Sequence, residues 1–579
     1  MTIGNWLSGL KSRLAHRLAR SPEPVARRRR SVQSRIPALV ETLEPRRVLS
    51  SVSFIGGPIS LKWTDAFNWS GGVVPTAADD VTINRPNVVL KGAVNPIKSL
   101  TVNAAGTLII SNNTALFVSN GVTDNGKITL GADGTWGEIG FNNSALINNT
   151  LSGTGSVEYA GVNAGNGIFA TGGGTLNIGA SVTVSVGTGF IGNTTGRTVN
   201  SGTIQANGLR SMVTLGVGFV NNGTINVTNN DTIAMLGSLE NNAAINLGGG
   251  TAWGALSFQG NQQVVGLGSI NFATTSPGNG IFTNSGVLSL RSNISGASGF
   301  LGSANSTILN YGKITLTGGV VSVVGGFTNM LGGAITLQNS VLKPLAAFQN
   351  DGIINLGNQT TWGQIFYGAT GTLNGTGAVI FGSNPLNGIA GNGTVNIVGN
   401  HLSGTAGSLG GTTTGNVVIQ SSASLTADGA AGTFRFLGPV TSFGAIKVRN
   451  GETLDILGVF TNQTTGILIV ESTSILTVDT GATLAVINGT PAQRFNLLGI
   501  TRLRNNSTLQ SMAVDGFGYA PFSNAGIAFL FVDDNAKVTL DVATGATKGT
   551  FYVQQVQLGT KATLNLKTGV RLRQGPQYL

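Results

Sequence analysis

The sequence contains no cysteine, and among its 579 residues there are only two histidines, His16 and His401. Without cysteine there can be no disulfide framework and no thiolate metal site. Two histidines give almost no material for Ser-His-Asp or Cys-His catalysis. We therefore expect His401 to be a turn residue, and we expect the chain to need no cofactor.

Charged residues are also scarce, at 9 % of the chain, while 41 % of residues are hydrophobic. Disordered chains usually combine high charge with low hydrophobicity, so this composition excludes disorder for most of the chain. The 88 glycines follow no strict three-residue period, which excludes collagen. The longest apolar candidate, Ala525–Val532, has eight residues, so no transmembrane segment is expected.

The net charge of +11 is unevenly distributed. Residues 1–50 hold 11 Lys and Arg against three Glu, whereas the other 529 residues hold 22 basic and 19 acidic residues. Binding to nucleic acid through counterion release needs a basic face. Because the main part of the chain is nearly neutral, we predict no nucleic-acid partner.

One short phrase recurs along the chain, and its clearest copy is Asn221–Val227. Asn and Gly tolerate positive φ and supply a tight turn, and a short strand with alternating apolar and polar residues follows. Such a strand cannot bury its apolar face alone, but stacked copies bury a continuous core, as in a solenoid. Further copies are Asp124–Leu130, Asn241–Leu247, Asn284–Leu290, Asn310–Leu316, Asn350–Leu356 and Gly391–Ile397.

The spacing of the phrase predicts the kind of solenoid. Its central apolar residues give 15 intervals over 340 residues, a mean of about 23, which fits one coil of a parallel β-helix. Leucine-rich repeats share this period, but the fixed leucines and helical turns that they need are not visible. We predict an all-β, right-handed parallel β-helix, with the hand taken from the general bias of parallel connections. The central residues are Ile128, Val157, Leu176, Ile204, Ile225, Ile245, Ile270, Leu288, Ile314, Ile335, Ile354, Val379, Val395, Val417, Ile446 and Leu468.

A longer period is superimposed on the first. Trp136, Trp253 and Trp362 each precede a glycine and lie 117 and 109 residues apart. Gly165–Phe169 likewise returns as Gly278–Phe282. We therefore expect tandem units of about 110 residues, roughly five coils each, over residues 124–240, 241–349 and 350–460.

Residues 1–50 are expected to form a basic, partly helical or disordered leader. Leu7, Leu10, Leu14 and Leu18 have the spacing of one helix face, and Pro22 ends the pattern. A basic amphipathic helix can lie on an anionic membrane surface. We favour the positively charged first region of an export leader, although the apolar region that usually follows is not evident.

The segment Leu43–Ser50 follows this basic stretch. It resembles the LEPR-XLL segment at the N-termini of many large planctomycete surface and exported proteins, with Val48 where the commonest form has leucine. The resemblance implies sorting to the cell exterior or envelope and implies nothing about activity. A chance turn, in which Pro45 breaks a helix, is the alternative. The residues that carry the motif are Leu43, Glu44, Pro45, Arg46 and Leu49.

Residues 51–98 are expected to form an N-terminal cap, because a first coil would otherwise expose a strand edge and an apolar end. Trp63, Phe67–Pro75 and Ala78–Ile83 resemble the opening of many bacterial β-helix surface proteins and adhesins, a group that includes autotransporter-passenger-like repeats. The resemblance implies that Trp63 and Trp69 pack over the first coil.

Residues 99–500 are expected to form uninterrupted coils, and residues 501–579 the final coils and a C-terminal cap. Asn pairs at turns, such as Asn112–Asn113 and Asn229–Asn230, are expected to stack as hydrogen-bonded ladders. Tyr519–Phe522 suggests a loop. Strands are predicted to resume at Ile527–Val532, Lys537–Val542, Phe551–Gln557 and Ala562–Leu566.

Motifs that could carry chemistry are weak. Asp79–Asp80 could be a catalytic or calcium-binding pair, but turn and capping roles are commoner, and Asp533–Asp534 also fits a turn. Gly187–Gly192 matches GxGxxG, but chance matches are expected at this glycine content and no βαβ helix follows. The three repeated tryptophans could form sugar-binding platforms, but packing at coil corners is favoured. No acidic register is found in the repeats that would place two carboxylates about 5–9.5 Å apart.

These patterns predict an exported β-helix protein with a structural or adhesin-like role at the cell surface, in the envelope or outside the cell, without catalytic activity. Cell-envelope components or extracellular polysaccharide are the expected partners. The alternative is a polysaccharide-active lyase or glycosidase, or a carbohydrate-binding protein. Clustered carboxylates in a lateral groove would favour an enzyme, aligned exposed tryptophans would favour sugar binding, and a uniform Gly/Ser/Thr/Asn surface would favour the structural role.

Overall fold

The computed structural model describes the chain from Ser51 onward, with short gaps. The expected leader, with the sorting motif Leu43, Glu44, Pro45, Arg46 and Leu49, lies outside the described residues, as does the predicted loop Tyr519–Phe522. The described ranges are 51–56, 60–132, 134–142, 149–346, 348–411, 415–429, 431–487, 495–512, 526–542 and 549–574.

The described chain is a parallel β-solenoid, as the 23-residue period predicts. Its coils contribute strands to three ladders, which we name faces A, B and C. Face A is a sheet of 23 strands, and faces B and C together make a second sheet of 39 strands. Each strand pairs in parallel with its counterparts in the coils before and after, as Ile225 does with Ile204 and Ile245.

The strands are numbered in chain order. Face A contains β1 Ser51–Ser53, β2 Asp80–Ile83, β4 Ser99–Val102, β7 Val122–Asp124, β10 Asn149–Ser152, β13 Thr175–Ile178, β16 Arg197–Asn200, β19 Phe219–Asn221, β22 Leu239–Asn241, β25 Gln262–Val265, β28 Gly286–Leu290, β31 Ser306–Asn310, β34 Gly326–Asn329, β37 Phe348–Asn350, β40 Gly371–Asn374, β43 Val395–Ile397, β46 Val417–Ile419, β49 Val440–Ser442, β52 Val459–Asn462, β55 Thr483–Ile487, β57 Thr508–Met512, β59 Lys537–Val542 and β61 Thr563–Leu566.

Face B contains β3 Val88–Lys91, β5 Thr107–Ser111, β8 Lys127–Leu130, β11 Ser156–Tyr159, β14 Thr183–Val186, β17 Thr203–Ala206, β20 Thr224–Val227, β23 Ala244–Leu247, β26 Ser269–Phe272, β29 Asn293–Gly296, β32 Lys313–Thr317, β35 Ala334–Gln338, β38 Ile353–Leu356, β41 Ala378–Phe381, β44 His401–Gly404, β47 Ser424–Asp428, β50 Ala445–Arg449 and β53 Ile467–Val470.

Face C contains β6 Thr114–Val118, β9 Gly137–Phe141, β12 Gly167–Ala170, β15 Gly189–Ile191, β18 Met212–Leu215, β21 Asp231–Met235, β24 Gly254–Phe258, β27 Gly280–Thr283, β30 Gly299–Leu301, β33 Val320–Val323, β36 Ser340–Pro344, β39 Gly363–Tyr367, β42 Gly388–Gly391, β45 Gly407–Leu409, β48 Thr433–Phe436, β51 Thr453–Ile456 and β54 Ile475–Val478. The second sheet continues with β56 Phe495–Leu503, β58 Gly526–Val532, β60 Gly549–Leu558 and β62 Val570–Gln574. The first three of these have seven to ten residues and span faces B and C together.

Alternation along each short strand builds the core. In β20, Ile225 and Val227 are buried while Asn226 faces outward. Complete burial of one such side chain stabilises the fold by about 1.5–3 kcal/mol. Because every coil repeats the pattern, the stack as a whole supplies the stability that no single strand could provide.

The predicted period is correct, but the sixteen central residues, which the sequence presents as equivalent, do not all lie on one face. Twelve lie in register on face B. The other four lie on face A, because the turn that precedes a face A strand also carries Asn or Gly and resembles the turn before face B. The four residues on face A are Leu176, Leu288, Val395 and Val417, and the face B positions of those coils are Val184, Ile294, Leu402 and Leu425.

The N-terminal segment 51–98 buries the two tryptophans expected to pack there. The Trp63 and Trp69 rings meet at 4.8 Å between centroids, and Trp69 Nε1–H donates to the Trp63 carbonyl at 2.7 Å. Phe54 packs edge-on against Trp69 at 5.1 Å. The same segment also supplies β1 and β2, which pair as the first rungs of face A.

One 3₁₀ turn, Ala66–Asn68, is the single helical element of the described ranges, and the Asp65 side chain accepts the Phe67 N–H at its start. Within those ranges no helix has the length and apolarity that crossing a membrane requires.

Near the C-terminal end the coil changes from three strands to two. Strand β56 pairs with β53 through Phe495 and with β54 through Ile500, and a bulge separates Leu497 from Ile500. The corner between faces B and C is therefore flattened into one long strand. The strands predicted after residue 526 are present as β58, β59, β60 and β61.

Interior asparagines form two ladders at the corner between faces A and B. In the first, Asn200 donates to Asn221 and Asn221 to Asn241, both at 2.9 Å. The second runs through Asn310, Asn329, Asn350 and Asn400 at 2.8–2.9 Å. Ladders were expected, but from other residues: Asn112, Asn113, Asn229 and Asn230 instead occupy turns with φ between 57° and 67°.

Candidate functional site

The outward surface of face B carries a continuous line of polar side chains, which we name the polar row. It covers eleven consecutive strands, and Glu158 is its single charged member. All of its other members are Asn, Gln, Ser or Thr. The row consists of Thr129, Glu158, Ser185, Gln205, Asn226, Asn246, Asn271, Ser295, Thr315, Thr336 and Asn355.

Members of the polar row bind one another. Asn246 donates to Asn226 at 2.9 Å and Asn271 donates to Asn246 at 3.0 Å. Ser295 then donates to Asn271 at 2.5 Å. Amide side chains spaced by one strand are close enough for such bonds, as in other stacked sheets. Much of the row's hydrogen-bonding capacity is thus used within the protein.

The repeated tryptophans lie at the corner between faces B and C and are half-buried. The Trp136 and Trp253 backbone N–H groups donate to Asn113 and Asn230 of the preceding turn. A side chain added at Gly165 would lie 2.9 Å from Trp136 Cγ, so glycine backbone covers this indole. These contacts favour the role of the tryptophans in packing at a corner, and they argue against an exposed platform for sugar binding.

A glycine follows each tryptophan. The backbone N–H of that glycine donates a hydrogen bond to a buried asparagine of the next coil. Asn166 Oδ1 accepts the Gly137 N–H at 3.1 Å, and Asn279 accepts that of Gly254 at 3.2 Å. The third unit repeats the contact between Asn387 and Gly363 at 3.0 Å. The long period therefore corresponds to a structural joint, the hydrogen bond between this glycine and this asparagine, which is repeated at the same corner in each unit.

Outward phenylalanines stack on face C near the first of these joints. The Phe117 and Phe169 rings are 6.3 Å apart, and the Phe169 and Phe190 rings are 5.8 Å apart. A Cβ at Gly140 would lie 2.5 Å from the Phe117 ring, so glycine is what allows the ring to lie flat on the sheet. The rings are half-buried and form an apolar strip beside the corner.

An indentation at the corner between faces B and C, which we name the corner cleft, separates two longer loops. Loop 160–166 follows β11 and loop 207–211 follows β17, while the coil between them turns tightly at Gly187–Thr188. The cleft has a volume of about 540 Å³. Val162 and Leu209 project from the two loops and are 83 % and 82 % exposed.

Polar groups line the remainder of the corner cleft. Glu158 and Ser185 enter it from the polar row, and Thr188 and Asn207 lie at its corner side. Glu158 also forms an ion pair with Lys127. The cleft thus combines two exposed apolar walls with hydroxyl, amide and neutralised carboxylate groups.

A second candidate is a charged cluster toward the C-terminal end of face C. Arg504 forms ion pairs with Asp479 at 3.1 Å and with Asp533 at 3.9 Å. Arg502 also contacts Asp533, at 3.4 Å. Asp455 lies close enough to interact electrostatically with Asp479 and Arg504.

The carboxyl groups of this cluster have pKa values shifted in opposite directions. Burial raises the pKa of Asp455, and the neighbouring Asp479 adds to the increase. Burial also acts on Asp479, but the Thr480 N–H and Arg504 together hold its pKa below the usual value. Carboxyl pairs with divergent pKa values are one pattern of acid–base sites.

The structure gives local roles to the acidic pairs considered from the sequence. Asp79 Oδ2 accepts the Thr76 N–H and hydroxyl at 2.7 and 2.9 Å, whereas Asp80 binds Lys98 and Ser99. Asp79 therefore stabilises a turn, and Asp80 stabilises the start of a strand. Asp533 and Asp534 lie in the turn after β58, as predicted, and Asp534 accepts the Thr560 N–H.

Two further expectations concern His401 and the GxGxxG match. The prediction that His401 is a turn residue was wrong: it begins β44, is exposed and its Nδ1 lies 2.6 Å from Ser424 Oγ. Gly187–Gly192 comprises the two-residue turn after β14, strand β15 and the residue that follows it, with no helix, so it is not a dinucleotide fingerprint. A Cβ at Gly189 would meet the Asn166 carbonyl at 2.4 Å, which explains that glycine structurally.

Neither the corner cleft nor the charged cluster was predicted from the sequence. The cleft depends on the extra residues of loop 207–211, since the corner after β32 in the second unit contains only Gly318 and Gly319. The cluster depends on side chains from successive coils, including Asp455 and Asp479, which are 24 positions apart. A search at coil spacing that continued past residue 460, the end of the third long repeat, would have found that pair.

Within the described ranges no group of three or more His, Cys, Asp or Glu side chains is placed to hold a metal ion. No protein-family model matches the sequence, and comparison with curated proteins gives no significant match.

Proposed function

We propose that this chain is an exported cell-surface structural or adhesin-like β-helix protein without catalytic activity. The observation that carries the proposal is the polar row, a repetitive and almost uncharged surface. Its amides and hydroxyls are engaged with one another, as between Asn226, Asn246 and Asn271. Such a surface suits a spacer or an adhesive stalk, in which length and repetition matter more than one reactive group.

The leader supports export. Nine of its eleven basic residues precede Leu43–Ser50, and the 529 residues after residue 50 are nearly neutral. On this proposal the basic region directs sorting, and the β-helix functions outside the cytoplasm. Its partners there are cell-envelope components or extracellular polysaccharide.

Fractionation of the native cells, with mass-spectrometric mapping of the N-terminus, tests this proposal. We expect the protein outside the cytoplasm, beginning near residue 50, and a variant with Leu43, Glu44, Pro45 and Arg46 changed to alanine should be retained inside. A cytoplasmic protein that begins at Met1 would overturn the proposal.

A polysaccharide-active enzyme is the second candidate, and the divergent pKa values of Asp455 and Asp479 favour it. An acid and a base on one lateral surface are what glycoside cleavage requires. Incubation with neutral and acidic polysaccharides, followed by assay of new chain ends, separates the candidates. Chain ends that wild type produces and Asp455→Asn does not produce would establish an enzyme.

A further inference from the structure

We infer that the corner cleft binds a neutral polysaccharide chain. This inference rests on the proposed function and deepens it, because it names the chemical class of one partner and the residues that hold it. The walls of the cleft are Val162 and Leu209, and its polar lining includes Glu158, Ser185 and Asn207.

The dimensions of the cleft suit a single chain of sugar rings. Its walls extend from the coils of β11 and β17, which both neighbour β14 on face B. Two strand spacings separate the walls, a distance of about 10 Å. The volume of about 540 Å³ lies within the range of small-molecule sites.

Both walls are held in place without a ligand. In loop 160–166, Asn163 donates to the Gly134 carbonyl at 2.9 Å, and Gly165 lies against the Trp136 ring. In loop 207–211, the Ser211 N–H and hydroxyl donate to buried Asp231 at 2.7 and 2.9 Å. A preorganised cleft loses little conformational entropy on binding.

The chemistry of the lining matches the two surfaces of a sugar ring. The apolar side chains of Val162 and Leu209 can cover its C–H faces, while Ser185, Thr188 and Asn207 can bind its hydroxyl groups. Lys127 neutralises Glu158, so the lining has no strong charge with which to attract an anionic polymer. A neutral polysaccharide is therefore favoured over an acidic one.

An extended peptide is the principal competing ligand, and the sheet argues against it. A peptide that adds to a sheet needs an unpaired strand edge. Strands β11, β14 and β17 are each paired on both sides with the neighbouring coils. The cleft offers side chains and turns rather than a strand edge.

The test is isothermal titration of the full-length protein with neutral hexasaccharides of glucose, xylose and mannose, and with hexagalacturonate as the acidic comparison. We expect at least one neutral hexasaccharide to bind, and Val162→Ser/Leu209→Ser to weaken it by about tenfold or more. The matched control is Leu267→Ser/Leu331→Ser, which changes two leucines that are 92 % and 84 % exposed at other turns. This control should bind within about twofold of wild type.

Three results would overturn the inference. The first is that no neutral hexasaccharide binds at about 1 mM, and the second is that the cleft variant and the control variant bind equally well. The third is that the protein prefers hexagalacturonate, or members of an extended peptide library, to the neutral hexasaccharides. Thermal unfolding of both variants checks that they are folded. The proposed export is tested separately by fractionation, so a cytoplasmic location would refute the surface role without altering the titration.

Discussion

Among the residues that the structure describes, three carboxyl groups are fully buried inside the solenoid: Asp124, Asp231 and Glu452. Burial disfavours the charged form of a carboxyl group, and it raises the pKa of Asp124 to about 6 and that of Glu452 to about 8. At Glu452 the nearby Asp428 adds to the increase, while the Gly432 N–H opposes it. Glu452 is therefore largely protonated at neutral pH.

Replacement of Glu452 by glutamine should remove much of the pH dependence of stability. The folded state holds this proton more tightly than the unfolded state, so the stability it confers is complete below about pH 4.5 and is lost as pH rises to about 8. The loss can reach roughly 5 kcal/mol. Urea unfolding across this range should show a falling midpoint in wild type and a flatter one in Glu452→Gln.

Asp124→Asn supplies the comparison for that experiment. Its pKa of about 6 confines its effect to the acidic part of the range, from its ordinary value of 3.8 upward. Asp124→Asn should therefore flatten the profile below about pH 6 and leave the alkaline part unchanged. If Glu452→Gln loses stability between pH 6 and 8 as steeply as wild type, Glu452 does not retain its proton there.

At the scale of strands and of the asparagine ladders, buried asparagines take the place of apolar contacts at the corner between faces A and B. Asn221 accepts from Asn200 and donates to Asn241, so both ends of its amide are used. Asn200 begins the ladder and has one asparagine neighbour in it. A buried amide that loses its partner retains the full cost of desolvation, so position within the ladder determines the effect of a substitution.

Asn221→Ala should accordingly destabilise the protein more than Asn200→Ala. The first change leaves the Asn200 donor and the Asn241 acceptor without their ladder partners and should cost about 2–4 kcal/mol. The second affects only the Asn221 acceptor and should cost about 1–2 kcal/mol. Thermal and urea unfolding of the two variants measure the difference. Equal losses would mean that the cavity, rather than the ladder, sets the cost.

The sequence was sufficient to predict the coil but not the face on which each strand lies. Alternation and turn residues have the same form before faces A and B, so the sequence does not distinguish Leu176 and Leu288, which lie on face A, from the central residues on face B. Inward asparagines were missed because Asn221 and Asn222 are adjacent and only packing shows which one is buried. Turn positions such as Asn112 look equally suitable in sequence.

The candidate site was harder to predict than the fold, because it depends on differences between coils rather than on their similarity. Loop 160–166 recurs as the equally long connection 273–279, but loop 207–211 is longer than its counterpart after β32. Val162 and Leu209, which form the walls of the corner cleft, have no counterpart in the repeated phrase. The polar row, by contrast, follows directly from alternation once the register of face B is known. The repeated pattern thus predicted the β-solenoid, but it did not show the coils that differ from the pattern and form the corner cleft.

At the scale of the whole molecule, the units of about 110 residues are interchangeable in register. Trp136, Trp253 and Trp362 stand before β9, β24 and β39, which are successive fifth strands of face C. Asn241 and Asn350 end equivalent face A strands, and each is followed after 12 residues by a tryptophan, Trp253 or Trp362. Removal of one unit therefore joins positions with the same structural role.

A protein lacking residues 242–350 should fold as a shorter solenoid, because Asn241 would lead into Asp351 with the spacing of the natural coil. Small-angle scattering should show a maximum dimension reduced by about 24 Å, which is five strand spacings. The urea m-value should fall with the lost buried surface while unfolding stays cooperative. The matched control removes residues 242–296 and joins a face A strand to a face C corner. If that control folds equally well, the register of the five-coil unit does not govern assembly.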